Sequence, residues 1–237
     1  MNNNKLFIVG TPIGNFDDIT LRALEILKKV DVIACEDTRI TLNLLNHFEI
    51  KNKKLISYHN FNEKNSSKGI IDLIINKNLS VALVSDAGMP TISDPGFDLI
   101  AEARKQNINF TVIPGVSSIT TAICASNLGT EFTFLGFGKL KKNQLASQIA
   151  SLKEGTYILF SAPHKIEFLL DIIDKNFDNH SLFVGRELTK TFESYYWGSA
   201  NEIKNQLQNN LKGEMTLVLR INKSKKHKEN KYKKHYN

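Results

Sequence analysis

The sequence is poor in cysteine, and it contains no long apolar run. Its two cysteines, Cys35 and Cys124, argue against both a disulfide framework and a structural zinc site. No apolar stretch approaches the ~18 residues of a membrane-spanning helix, and the first residues lack the apolar core of a signal peptide. We therefore predict a cytoplasmic protein without a metal ion and without a membrane partner.

Acidic residues are fewer than basic ones, and the formal net charge is +7. Residues 222–237 hold seven lysines and one glutamate and so carry +6, which leaves about +1 for the rest of the chain. A lysine-rich segment with so few aliphatic residues cannot bury a core, so we predict a disordered tail over residues 222–237. It is either a solubilising extension or an electrostatic arm for nucleic acid, and the sequence favours neither.

Ahead of this tail, short apolar runs alternate with longer segments of helical period, which is typical of βα units around a largely parallel sheet. Strands are predicted over residues 6–9, 30–34, 55–57, 81–84, 110–113, 182–184, 194–197 and 215–221. Helices are predicted over residues 41–48, 70–75, 97–106, 117–125, 165–175 and 200–209. The alternation of predicted strands and helices changes near Asn127, so we predict two α/β domains, over residues 1–128 and 129–221.

Stretches rich in glycine, proline and polar residues follow the predicted strands of the first domain, at residues 10–15, 36–39, 58–60, 85–96 and 114–118. Taken singly, each has an ordinary explanation: Gly10 permits a turn, Ser117 caps a helix, and an isolated histidine such as His59 more often packs than catalyses. In an open parallel sheet, however, ligands bind beyond the carboxyl ends of the strands. Five such loops on one rim therefore predict a single large site.

Four of these loops carry the motifs V-G-T-P-I-G-N, A-C-E-D-T-R, S-D-A-G-M-P-T-I-S-D-P-G and P-G-V-S-S, and R-E-L-T-K follows in the second domain. In this order the motifs resemble the ribosomal RNA small subunit methyltransferase I family, within the tetrapyrrole methyltransferase superfamily. The resemblance implies two α/β domains with a cofactor cleft between them. It also implies a homodimer that transfers a methyl group from S-adenosylmethionine to the 2′-hydroxyl of a cytidine in the decoding region of 16S rRNA, in the small ribosomal subunit.

By that resemblance the S-D-A-G and P-G-V-S loops face the cofactor, and two stretches of the second domain enclose its adenine. Small residues let the backbone approach a ligand, while Asp86 and nearby hydroxyls can bond its polar groups. The residues expected to bind the cofactor are Thr11, Pro12, Ser85, Asp86, Ala87, Gly88, Pro114, Ser117, Ser118, Phe160, Ser161, Glu214 and Met215.

Methyl transfer to a ribose hydroxyl requires an in-line arrangement of the reacting atoms, and a positioned base helps the hydroxyl proton to leave. The candidate catalytic residues are Asp37, His59 and Lys190, in no particular order. Basic side chains suit the phosphates of RNA, and the residues expected to bind RNA are Arg39, Lys139, Lys141, Lys142 and Arg186. No cluster of metal-ligating residues stands out, and the reaction needs none.

Two alternatives stay open at this point. A tetrapyrrole C-methyltransferase would have the same fold, although E-D-T-R and R-E-L-T-K argue against it. A non-catalytic RNA-binding assembly factor would keep the basic tail, although the intact S-D-A-G and P-G-V-S loops argue against that function.

Overall fold

The computed structural model describes residues 5–60, 62–139, 141–208 and 210–223. The predicted lysine-rich tail therefore lies, beyond its first two residues, outside the described part of the chain.

A five-stranded parallel sheet forms the first half of the described chain, with strand order β3-β2-β4-β1-β5. Its strands are β1 (Leu6–Val9), β2 (Val32–Cys35), β3 (Lys54–Ser57), β4 (Val81–Val84) and β5 (Phe110–Ile113). Every residue of β2 and β4 is buried, as expected for central parallel strands that are covered on both faces. The predicted α/β class and the predicted parallel sheet of the first domain are confirmed.

Helices cover this sheet from both sides. They are α1 (Leu21–Lys29), α2 (Thr38–His47), α3 (Glu63–Ile75) and α4 (Phe97–Lys105), and a further helix, α5 (Ser118–Ser126), follows β5. Side chains of α1 and α2 join one core cluster with the sheet, and those of α3 and α4 join another on the opposite face. Helix α3 begins at Glu63 rather than at residue 70 as predicted, because Glu63 is held by tertiary contacts. Its Oε1 accepts hydrogen bonds from the backbone N–H groups of Gly96 (2.8 Å) and Asp98 (3.0 Å) at the start of α4.

A second five-stranded sheet has the order β6-β7-β10-β8-β9. Its strands are β6 (Thr133–Phe134), β7 (Gly155–Ser161), β8 (His180–Arg186), β9 (Ser194–Gly198) and β10 (Met215–Ile221), with the helices α6 (Lys142–Ala150), α7 (Ile166–Asn176) and α8 (Ala200–Leu207). The β6–β7 pair is parallel, while the β7–β10, β10–β8 and β8–β9 pairs are antiparallel. The expectation of largely parallel pairing is wrong for this sheet, because apolar periodicity shows that a segment is a strand but not its direction.

Helix α5 joins the two halves, because it packs across β8 and β10 of the second sheet. A compact core cluster marks this junction and contains Ile13, Ala122, Ile158, Phe183, Leu188 and Val218. Helices α6 to α8 pack with the other face of the second sheet. The division of the chain at residue 128 stays a prediction, and α5, on its N-terminal side, is packed against the C-terminal sheet.

Among the residues that the structure describes, no helix combines the length and the apolar character needed to cross a lipid bilayer.

Candidate functional site

The carboxyl ends of the five parallel strands lie at one edge of the first sheet, as their common direction requires. Between this edge and strands β7 and β10 of the second sheet lies a cavity of about 340 Å³, here called the main cavity. It is lined by Ile13, Asp86, Ala87, Gly88, Met89, Ile92, Ser93, Asp94, Ser117, Ser118, Ile119, Phe137, Phe160, Ser161, Ala162, Pro163, Leu188, Glu214, Met215 and Thr216.

The loop after β4 is tied to the loop after β1 through the backbone. The N–H of Thr11 donates to the carbonyl oxygen of Gly88 (2.9 Å), and the N–H of Gly88 donates to the carbonyl oxygen of Thr11 (3.1 Å). The Thr11 hydroxyl also donates to the carbonyl oxygen of Ser85 (3.1 Å). Gly88 has a φ of 80°, in the left-handed region that glycine adopts without strain. These bonds hold residues 85–88 at the cavity wall.

The loops after β1 and β5 approach each other closely at Gly10 and Gly115, and neither position has room for a side chain. A Cβ on Gly10 would lie 2.7 Å from Met89 Sδ and 2.8 Å from Gly115 Cα. A Cβ on Gly115 would lie 3.0 Å from Gly10 Cα. Glycine at both positions therefore lets the loop after β5, with the start of α5, close one side of the cavity.

The N-terminus of α5 faces the main cavity, because Ser117, Ser118 and Ile119 all line it. The Ser117 side chain caps the helix by accepting a hydrogen bond from the N–H of Ile119 (3.3 Å). The first N–H groups of a helix lack intrahelical partners and carry a partial positive charge. This end of the cavity is therefore suited to an anionic group of a ligand.

The carboxyl groups of Asp86, Asp94 and Glu214 also line the main cavity. Burial, together with the nearby charge of Glu36, raises the pKa of Asp94 to about 7. Burial also raises the pKa values of Glu36 and Asp86 above their ordinary values. Asp86 Oδ1 accepts a hydrogen bond from the backbone N–H of Asp37 (3.0 Å). The wall thus concentrates acidic groups, which favours a ligand that carries positive charge.

We expect the free energy of unfolding to fall as the pH rises from about 4 to about 7, and Asp94→Asn to remove part of that fall. The pKa of Asp94 is about 7 in the folded protein against an ordinary value of 3.8. Between these two pKa values the folded state keeps a proton that the unfolded state has released. The stability that is present below the unfolded pKa is therefore lost as the pH rises through the folded pKa. Glu36 and Asp86 shift in the same direction, so part of the fall should remain.

Urea unfolding at a series of pH values measures this effect. Asp72→Asn, on the exposed surface of α3, is the matched control and should keep the full wild-type fall. An Asp94→Asn protein with the wild-type pH dependence would contradict the prediction.

Nine of the residues predicted to bind the cofactor line the main cavity: Asp86, Ala87, Gly88, Ser117, Ser118, Phe160, Ser161, Glu214 and Met215. The structure places Thr11, Pro12 and Ser85 instead on a smaller neighbouring cavity, which Asp86 also lines. Pro114 is exposed and lines neither of these two cavities. The predicted set is therefore divided between two adjoining spaces that share Asp86 as a wall.

The three predicted catalytic residues lie in different settings. A hydrogen bond and the charge of Arg39, whose Nη2 lies 2.6 Å from Asp37 Oδ2, lower the pKa of Asp37 to about 2. Burial opposes the charge of Lys190, but hydrogen bonds from its Nζ to Glu214 (2.8 Å) and Glu187 (3.1 Å) outweigh that effect and raise its pKa. His59 lies near the Glu36 carboxyl, where its charge offsets only part of the rise in the pKa of Glu36 that burial causes. None of the three lines the main cavity.

The predicted RNA-binding residues come from three separate segments of the chain. Arg39 is exposed and paired with Asp37. Arg186 holds the chain locally, because its Nε donates to the carbonyl oxygen of Lys212 (2.6 Å) and its Nη1 to that of Phe192 (3.0 Å). Lys139, Lys141 and Lys142 lie at the start of α6, and Lys142 Nζ is 5.1 Å from the centre of the Phe168 ring.

Sequence reasoning missed several residues that line the main cavity. Asp94 belongs to the S-D-P-G part of a loop already singled out, so its position was a usable signal. Leu188 likewise belongs to the R-E-L-T-K motif, whereas Phe137 carries no such signal, because it reaches the cavity only through the packing of the second domain. The other missed lining residues are Ile13, Met89, Ile92, Ser93, Ile119, Pro163 and Thr216, whereas Ala162 belongs to a stretch that was expected to enclose the adenine.

Within the described residues, no group of three or more histidine, cysteine, aspartate or glutamate side chains is placed to hold a metal ion.

Residues 5–204 match the family model described as tetrapyrrole (corrin/porphyrin) methylases. The chain is 50% identical over 219 residues to the ribosomal RNA small subunit methyltransferase I of Mycoplasmopsis pulmonis, covering 92% of this chain and 98% of that relative. It is 45% identical over 219 residues to the protein of the same name from a Hydrogenobaculum species, covering 91% and 95% of the two chains.

Among solved structures, the chain is similar to uroporphyrin-III-C-methyltransferase from Thermus thermophilus, with a TM-score of 0.66, 21% identity and coverage of 91% and 94%. It is also similar to a Thermus thermophilus uroporphyrin-III C-methyl transferase complexed with S-adenyl homocysteine, with a TM-score of 0.61, 13% identity and coverage of 91% and 97%. At these identities the likeness shows the two-domain α/β fold and nothing about the substrate.

Proposed function

The chain belongs to the ribosomal RNA small subunit methyltransferase I family, and on that premise we propose that it methylates the 2′-hydroxyl of a cytidine in the decoding region of 16S rRNA with S-adenosylmethionine. The observation that carries the proposal is the main cavity. Its walls come from the S-D-A-G and P-G-V-S loops, which are also the segments that the family resemblance assigns to the cofactor.

The residues of the main cavity fit S-adenosylmethionine. A volume of about 340 Å³ is within the range of small-molecule sites. The acidic wall at Asp94 and Glu214 suits a positively charged sulfonium, and the start of α5 at Ser118 suits a carboxylate. The apolar surface of Phe160 and Met215 suits an adenine ring. When bound, S-adenosylmethionine supplies a methyl group on a positively charged sulfur.

Most of the acceleration comes from orientation, because methyl transfer requires the acceptor oxygen in line with the methyl group. Asp86 is the side chain best placed to hold that oxygen, since it lines both the main cavity and the smaller cavity beside it. Burial raises its pKa, which makes its carboxylate a stronger base than an exposed aspartate. We assign Asp86 the role of accepting the proton of the ribose hydroxyl.

The three catalytic residues predicted from the sequence, Asp37, His59 and Lys190, are less suited to accept this proton. The pKa of Asp37 is about 2, so its carboxylate is a weak base and is already bonded to Arg39. Lys190 is a cation in its ion pairs with Glu187 and Glu214, so it has no lone pair to accept a proton. His59 keeps an imidazole near Glu36, but it lines neither cavity.

The partners in this proposal are 16S rRNA within the small ribosomal subunit and a second copy of the chain, in the cytoplasm. Arg39, with its exposed guanidinium, and the lysines at the start of α6 are the proposed phosphate contacts. The open edge of the second sheet at β9 carries the exposed aromatic side chains of Tyr195 and Trp197, a surface that suits contact between two copies.

The test is a nucleoside analysis of the reaction product. Purified protein is incubated with unmethylated small ribosomal subunits and labelled S-adenosylmethionine, and the RNA is digested to nucleosides for mass spectrometry. We expect label in 2′-O-methylcytidine, located in the decoding region. Methyl on a base, or transfer only to a tetrapyrrole precursor, would overturn the proposal, and Asp72→Asn serves as a variant with expected wild-type activity.

A further inference from the structure

A smaller cavity of about 150 Å³ adjoins the main cavity and has no role in holding the cofactor as described above. It lies between the segment after β1 and the first turns of α2, and it will be called the side cavity. It is lined by Thr11, Pro12, Phe16, Ile40, Thr41, Asn43, Leu44, Ser85 and Asp86.

The size of the side cavity limits what it can hold. A cavity of about 150 Å³ lined by apolar side chains accommodates benzene, so this space admits one six-membered ring. A fused two-ring system such as a purine needs more room. Phe16, Ile40 and Leu44 form apolar walls, which suit the face of a flat ring better than a charged group.

The position of the side cavity relates it to the reaction. Asp86 lines both cavities, so a ring in the side cavity and a cofactor in the main cavity would meet at this residue. A nucleotide whose base entered the side cavity would therefore have its ribose beside Asp86. That is where the 2′-oxygen must lie for in-line transfer.

The side cavity also carries groups that can recognise a base. Phe16 is 37% exposed, and its ring is held by His47 at a centroid distance of 4.5 Å, which leaves aromatic surface for stacking. The carboxamide of Asn43 has no hydrogen-bond partner within the described residues. A carboxamide both donates and accepts, as the Watson–Crick edge of cytosine also does.

We propose that the side cavity binds the pyrimidine ring of the acceptor nucleotide, stacked on Phe16 and read by Asn43. This inference rests on the proposed function, because it names the substrate contacts of the same site. The single-ring size favours a pyrimidine over a purine, and the Asn43 carboxamide can donate to and accept from the edge of that ring. The nucleotide is turned out of its stack to reach the cavity, as in other enzymes that act on individual nucleotides.

The experiment uses the full chain, unmethylated small subunits, and subunits with uridine in place of the acceptor cytidine. The variants are Phe16→Ala, Phe16→Tyr and Asn43→Ala, and Leu42→Ala, exposed on the same helix, is the matched control. Loss of base stacking should lower kcat/KM of Phe16→Ala by about 5- to 150-fold, and Phe16→Tyr should restore most of it. Asn43→Ala should lower kcat/KM on both kinds of subunit, because it removes the hydrogen bonds to the edge of the ring.

The affinity for S-adenosylhomocysteine, measured by calorimetry, should stay at the wild-type value in all variants, because the side cavity is separate from the cofactor. Wild-type kcat/KM in both Phe16→Ala and Asn43→Ala would overturn the inference and leave the proposed function standing. A wild-type protein that methylates no ribosomal RNA would overturn both.

Discussion

Asp86→Asn should lower kcat on small ribosomal subunits by about 10²- to 10⁴-fold, the usual contribution of a positioned proton acceptor. Asparagine has nearly the same shape as aspartate, but its amide cannot take a proton from the ribose hydroxyl. The loss should appear in kcat, because the acceptor oxygen is still bound beside the cofactor.

Asparagine at position 86 also keeps the local structure. Asp86 Oδ1 accepts a hydrogen bond from the backbone N–H of Asp37 at 3.0 Å, and the amide oxygen of asparagine can accept the same bond. The start of α2 should therefore remain in place. Asp86→Ala removes this acceptor and also a polar side chain that lines the main cavity, so it should weaken cofactor binding by about 1–3 kcal/mol, the usual cost of a lost buried partner.

The pH profile gives an independent readout of the same role. A base works only when deprotonated, so kcat should rise with pH through the pKa of Asp86, which burial places above the ordinary 3.8. This rising limb should be missing in Asp86→Asn. A merely structural role would change the rate without removing the limb.

The comparison variants are His59→Ala and Asp37→Asn, with Asp72→Asn on the exposed face of α3 as control. If His59→Ala loses the activity and the rising limb while Asp86→Asn keeps both, the histidine is the proton acceptor and the assignment of Asp86 is wrong. Affinity for S-adenosylhomocysteine, measured for each variant, separates loss of binding from loss of catalysis.

The apolar runs of the sequence were sufficient to predict several strands. The predicted bounds of β1, β4, β5 and β10 coincide with the structure, because each strand is a short, mainly apolar segment bounded by polar residues. Helix α3 shows the opposite case. Its first turns hold polar residues with no apolar period, and the bonds that Glu63 makes to the start of α4 come from a distant part of the chain.

The part of the site that the first sheet provides could be predicted from the topology of parallel strands alone. Parallel strands bring their carboxyl ends to one edge, so Asp86, Gly88 and Ser117 were expected together and all line the main cavity. The contribution of the second domain depends on how α5 packs across β8 and β10. No local pattern encodes that packing, so Phe137 was missed, and Leu188 was not assigned to the cavity although it lies within R-E-L-T-K.

The largest expected effect on stability comes from the packing of α5 across β8 and β10. Phe183→Ala should lower the free energy of unfolding by about 3–5 kcal/mol, the usual cost of deleting a fully buried aromatic side chain. Phe183 is 0% exposed, and it lies in the core cluster that joins α5 to the second sheet. Its ring centroid is 5.2 Å from that of Trp197 and 5.7 Å from that of Tyr195, so truncation also removes support from both rings.

Urea unfolding measures the loss, with Phe132→Ala as the matched control. Phe132 is 40% exposed, so its truncation should change stability by no more than about 0.5 kcal/mol. The core cluster around Phe183 also contains Ile13 and Leu188, which line the main cavity. Phe183→Ala should therefore weaken binding of S-adenosylhomocysteine under conditions where the protein is still folded, whereas Phe132→Ala should not. Equal stability losses in the two variants, or a wild-type affinity in Phe183→Ala, would show that this cluster does not hold the cavity walls together.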